Sequence, residues 1–248
     1  MLLPILLAGI VSAQIHPGEV SHALESVTVS GTSLTLRGTE SDGGLDAQVR
    51  RVLPSAMQMA SRWGALPASV VLTVHATHAG LESATGRTGN PWMRAWARIG
   101  AVDLQSPSTW SRGRASDEAL TQILAHELTH CVLFEAVGRD GRARGIPLWF
   151  QEGMASVAAG ERHEVAHADA VASPGPLLRT DPRVVYGTAD RAFREFLRRF
   201  GEEGVRRIMA RLGEGHAFPA AFRDGLGVAL ADFEGDLAGR LSALAVSN

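Results

Sequence analysis

Residues 123–152 constrain the fold more than any other stretch of the chain. Ile123-Leu124-Ala125-His126-Glu127-Leu128-Thr129-His130 sets two histidines four apart inside an apolar run. Glu152 follows in Trp149-Phe150-Gln151-Glu152-Gly153-Met154-Ala155. On an α-helix, residues four apart share a face, so His126 and His130 can reach one metal ion together. Glu127 is turned by about 100° from His126, which sets it beside such an ion, where a base for a bound water belongs. Neutral imidazole is a common zinc ligand, and hydrolytic zinc takes three protein groups and leaves one position for water. Two histidines therefore call for a third ligand, and Glu152 is the candidate. Any fold of this chain must bring those two segments together.

The pattern is selective without being decisive, since a chain with nine histidines contains one by chance at a rate of about 0.02. A second copy, His163-Glu164-Val165-Ala166-His167, has to be weighed against the first. The first sits in a helix with defined ends: Ser116 as cap, Asp117 and Glu118 in the positive first turn, Gly138 as terminator. Ala119, Ile123, Leu133 and Val137 lie near the histidine face, and Leu124, Leu128, Cys131 and Val132 make the remainder apolar, as in a core helix. The second copy follows Gly160-Glu161-Arg162 and runs into Pro174 and Pro176. Arg162 disfavours a cation there, and no later Glu has a comparable helical setting. The first copy is taken as the metal site, with His163 and His167 expected at a solvated helix end or in a loop.

His126-Glu127-x-x-His130 followed by Trp149-Phe150-x-Glu152-Gly153-x-Ala155 resembles the gluzincin metallopeptidases, and more narrowly is similar to the bacterial peptidase MA-like family. The resemblance covers roughly residues 95–245 and is most specific at 123–155. It implies a zincin-like metallopeptidase domain in which a second helix, opening at the Pro147-Trp149 stretch, carries the third ligand. It also implies zinc peptidase chemistry at His126, Glu127, His130 and Glu152. In that family a tyrosine commonly opens the helix after the site, and Tyr186, the sole tyrosine, matches that position as a catalytic donor. Many gluzincins orient a histidine with a carboxylate one turn past the third ligand; here that position is Ser156.

The rest of the chain reads as α+β: a small N-terminal sheet with helices, then a mostly helical C-terminal half, with the His126 helix between them. Residues 1–13 look like a short secretory signal, too short in their apolar core to span a membrane and with small residues before Gln14. They lack a basic residue at the start. Export would make the protein secreted or periplasmic. Residues 14–25 read as a linker, and 26–248 as one domain. Residues 27–36 alternate about a Gly-Thr turn as a hairpin. Leu45, Val49, Val52, Ala56, Ala60 and Trp63 recur at helical spacing, with a kink expected at Pro54. Residues 70–75 form a buried-type strand, 79–85 a short helix, and 95–99 with 101–105 two strands about Gly100. His75 and His78 are read as ordinary polar positions. Pro147 suits the first turn of the Glu152 helix, and Gly153 and Ala155 are expected to let that helix approach the His126 helix closely. Phe193, Phe196, Leu197 and Phe200 mark one later helix and Val205, Ile208, Met209 and Leu212 another. Leu230, Phe233, Leu237, Leu241 and Leu244 mark a last amphipathic one. Its polar face is not basic, which favours packing on the core over membrane binding.

A net charge of −2 offers no general attraction for nucleic acid. All the basic residues are arginine, which reads as compositional bias. One cysteine, Cys131, excludes an internal disulfide; it lies off the histidine face and is expected as a small buried thiol. Three function classes fit: a zinc peptidase, a zinc hydrolase of a non-peptide amide or ester, and a non-catalytic binding module. Retention of Glu127 argues against the last, because binding needs no base. The expected partner is a peptide or protein, with no stable membrane insertion.

Overall fold

The computed structural model describes residues 22–29, 31–38, 43–110, 115–138, 145–163 and 182–246. The expected signal at 1–13, the loop at 139–144 and residues 164–181, with His167 and the Pro174–Pro176 segment, lie outside them. So do the side chains of Leu45, Leu241 and Leu244.

Strand β1 (His22–Val29) pairs antiparallel with β2 (Thr32–Gly38), which runs parallel to β3 (Ser69–His75). The strand starts at His22, inside the stretch expected as linker. β3 is parallel to β5 (Ala101–Gln105), and β4 (Ala95–Arg98) folds back antiparallel on β5 about Gly100, at φ 67°. The five-stranded order is β1-β2-β3-β5-β4, which leaves β4 at one edge. Helix α1 (Gly43–Ala60) runs through Pro54 as one helix, with the proline on its exposed side. Helix α2 (His78–Thr85) is short, capped by Thr77 and ended by Gly86. His75 is no ordinary polar position: it is buried, with Nε2 2.8 Å from Oδ1 of buried Asp103, whose Oδ2 takes the Arg98 guanidinium.

Helix α3 (Asp117–Val137) begins where Ser116 Oγ accepts the Ala119 N–H and ends at Gly138, φ 72°. Its residues divide between two apolar clusters. Leu120, Leu124, Ala125, Leu128 and Cys131 pack with α1 and the inner face of the sheet. Val132, Leu133 and Val137 pack with the later helices. Those are α4 (Leu148–Ala158), α5 (Pro182–Gly213, broken at Gly201, φ 65°), α6 (Phe218–Leu226) and α7 (Leu230–Val246). Their core is aromatic: Phe150, Phe193, Phe196, Phe218, Phe222 and Phe233 are fully buried and meet one another edge-on or tilted, apart from Phe193 and Phe196, which stack. Each such side chain contributes ~1.5–3 kcal/mol by burial.

The aromatic core fixes the helix that bears Glu152. Trp149 and Phe150 plug into it, and Trp149 Nε1 donates to Glu234 of α7 at 2.8 Å. Gly153 serves a different neighbour from the one expected. A Cβ there would strike the Ala189 carbonyl and come within 2.5 Å of Phe193 Cβ, so the small residue allows α4 to close on α5 rather than on α3. Phe233 and Leu237 of α7 are buried in the same core. No helix among the described residues is long and apolar enough to cross a membrane.

Candidate metal site

His126 and His130 occupy consecutive turns of α3, each buried, and Glu152 projects from the first turns of α4. Glu152 Oε2 lies 3.3 Å from His126 Nε2 and 3.6 Å from His130 Nε2. The three ligand atoms fall within 4.8 Å of one another, and no other such cluster of three occurs among the described residues. Ligand atoms about 2.0–2.1 Å from a tetrahedral zinc lie about 3.4 Å apart. The spacing and the donor set, two imidazoles and a carboxylate, both fit that ion.

Charge and burial oppose each other here. Burial alone would depress the His126 imidazolium, but the Glu161 and Glu152 carboxylates outweigh it and raise its pKa well above the ordinary value. Burial pushes Glu152 up, and His130 with His126 more than reverses this, holding the carboxyl well below the usual range. In the metal-free protein, therefore, imidazolium charge balances the carboxylates. A divalent ion bound there would take over that role by displacing protons.

Glu127 lies beside the ligands on the cleft wall. Burial raises its pKa against the pull of His126 and His130 and a hydrogen bond from the Ala97 backbone N–H. That bond comes from β4, which packs against α3. A carboxylate raised toward neutrality is better matched to accepting and returning a proton near pH 7.

The residue that sequence reasoning missed is Glu161. His126 Nδ1 donates to its Oε2 at 3.2 Å, which leaves Nε2 as the nitrogen free to ligate. Ser156 cannot play this part; it is fully buried, with its Oγ 3.4 Å from His163 Nε2. The backbone explains how Glu161 arrives. Gly160 ends α4 at φ 69°, and the Glu161 N–H donates to the Ser156 carbonyl at 3.0 Å, a reversal that turns Glu161 back toward α3. The Glu161 carbonyl accepts from Arg194, itself paired with buried Asp190. The glycine-acid pair just past the Glu152 helix is the sequence signal for it.

His163 lies in a loop after α4, as expected, but not in open solvent. It is half-buried on the cleft wall, with Nε2 3.1 Å from Glu161 Oε2 and its ring stacked on Tyr186 at 6.0 Å and 25°. Tyr186, in the first turns of α5, meets Trp92 edge-on at 6.0 Å and His126 at 6.1 Å. Its hydroxyl has no hydrogen-bond partner among the described residues. Burial and then the Glu152, Glu127 and Glu161 carboxylates hold the phenol well above its ordinary pKa, so it is a neutral donor. Cys131 is buried off the ligand face, and burial pushes its thiol up to about 12. A cleft of about 200 Å³ opens on the site, lined by Trp92, Met93, Arg94 and Ile123 together with His126, Glu127, Glu161, His163 and Tyr186.

The sequence matches no protein-family model and no curated protein. Among solved structures, the chain is similar to an M1 zinc metallopeptidase from Deinococcus radiodurans, with 14% identity over 89% of this chain and 51% of that one, at a TM-score of 0.45. It is also similar to a mutant two-domain M1 zinc metallopeptidase bound to L-arginine, with 13% identity over 88% and 50% of the two chains, at a TM-score of 0.46. The chain thus spans about half the length of the solved structures it matches.

Proposed function

We propose that the protein is a zinc peptidase of gluzincin type, with His126, His130 and Glu152 as metal ligands. The observation that carries this reading is the meeting of all three donors in one cluster, with Glu127 beside it on the cleft wall. A zinc ion bound there supplies a Lewis acid and a water acidified toward ~7. Glu127 takes the proton of the attacking water and returns it to the leaving amine. Tyr186 donates its hydroxyl to the oxyanion that develops on the scissile carbonyl. Glu161 keeps the His126 ring in the ligating tautomer. The non-peptide hydrolase shares every one of these groups; no separate observation favours it. The retained base makes the binding module the weakest of the three.

Separately, the signal-like residues 1–13 support export of the protein by cleavage after Ala13. N-terminal sequencing of host-derived protein that starts at Met1 would remove that part alone. The function itself is tested with a broad peptide library. Cleavage by zinc-loaded protein should stop on chelation and return with zinc. Uncleaved peptides with zinc firmly bound would move the non-peptide hydrolase or the binding module ahead.

A further inference from the structure

Arg94 stands on the cleft wall just before β4. A guanidinium carries five N–H donors in a rigid fork. One nitrogen of Arg94, Nη1, is tied to its surroundings: it donates to the Pro91 carbonyl at 2.8 Å, the Met93 carbonyl at 3.2 Å and Gln105 Oε1 at 3.4 Å. Gln105 is itself held through Nε2 by Thr109. All three acceptors are neutral. Nε and Nη2, the edge that grips a carboxylate bidentately, have no hydrogen-bond partner among the described residues, and no carboxylate there pairs with Arg94. Two other arginines show the paired arrangement. Arg98 spends its Nε–Nη2 edge on Asp103, and Arg51 spends its own on Asp117.

We propose that Arg94 binds a carboxylate of the substrate, so that the cleft selects peptides carrying a carboxylate next to the scissile bond. This inference rests on the peptidase reading. The guanidinium is fixed on one side and open on the other, so little order is lost when it binds. A second cation supports it: Arg87 lies 3.5 Å from the Trp96 ring centroid and forms no ion pair with a carboxylate among the described residues. Trp92, Met93 and Ile123 supply the apolar part of the same wall. A C-terminal carboxylate and an Asp or Glu side chain present the same pair of planar acceptors.

The test is calorimetric binding to zinc-loaded Glu127→Gln protein, whose lost base keeps the peptides intact. Four N-acetylated peptides of one core sequence are compared: a free acid against its C-terminal amide, and, within amides, an internal Glu against Gln. At least one carboxylate should bind about 10-fold or more tightly than its neutral counterpart, and the pair that responds identifies the source. Adding Arg94→Gln should erase the difference, and Arg94→Lys should restore part of it. Equal affinity within both pairs overturns the proposal without any change at Arg94. A preference that survives Arg94→Gln also overturns it, because the carboxylate then goes to the metal. The parent reading fails separately. Zinc-loaded parent that cleaves nothing in the broad peptide library, with the Arg94-dependent preference intact, removes peptidase chemistry and keeps the carboxylate site. Cleavage with no preference does the reverse.

Discussion

At the scale of single residues, a hydrogen bond decides which nitrogen of His126 is left for a metal ion. Glu161 accepts from Nδ1, so Glu161→Gln, which keeps the shape and loses the charge, should weaken zinc binding by about 10–100-fold. Competition with a chromophoric chelator measures this, and parental affinity would assign Glu161 to packing alone. Glu127 makes the opposite electrostatic statement, because its pKa is raised in the folded protein, by burial first. The folded state then holds the proton more tightly than the unfolded chain, and stability falls as pH rises from the unfolded value through the folded one. At pH 7 the ionised carboxylate is a cost that Glu127→Gln removes. Metal-free Glu127→Gln should melt above the parent at pH 7, by ~2–4 °C for each kcal/mol recovered, and the gap should close in acid. A lower Tm at pH 7 would contradict the burial argument. Cys131 is buried with its thiol near 12. It should resist a thiol reagent at pH 8 until the chain is unfolded, and rapid labelling of native protein would show that α3 opens there.

At the scale of elements, α4 delivers Glu152 because α5 and the aromatic core hold it from behind. Gly153→Ala drives a methyl into the Ala189 carbonyl and Phe193, an overpacking that costs ~1–3 kcal/mol or more. Calorimetry should show Tm lower by roughly 5 °C, with weaker zinc binding because Glu152 moves with the helix. A parental Tm would mean that the helices part without penalty. This contact also marks what the sequence can and cannot express. The His126 helix was legible with both its ends, because Ser116, Asp117, Glu118 and Gly138 are local signals, and so were the strands about Gly100. The partner of Gly153 was not, since a small residue announces a close approach without naming the neighbour. Pro54 announced a kink that the helix does not need with the proline on its exposed side.

At the scale of the whole molecule, two apolar clusters meet along α3, one built on the sheet and one on aromatic rings. The candidate ligands stand on α3 and α4, where those halves join, so the site depends on both. The α+β order and the central helix could be read from periodicity. The four groups His126, Glu127, His130 and Glu152 could be read from spacing and residue type. Glu161 and His163 were harder: the Gly160-Glu161 pair marks a helix end, but which residue the reversal turns toward is set by the three-dimensional path. Arg94 was hidden for a similar reason: a free guanidinium edge is defined by what surrounds it.

The central claim is that Glu127 is a base and not a ligand, at a zinc site made by His126, His130 and Glu152. The measurement that reaches it most directly is the cleavage rate of zinc-loaded Glu127→Gln protein on a peptide the parent cleaves, with zinc content determined on the same samples. The account predicts one zinc per chain in both proteins, the same fold, and a rate lower by at least ~10²–10⁴ in the variant. A variant that holds its zinc and cleaves at the parental rate would contradict it.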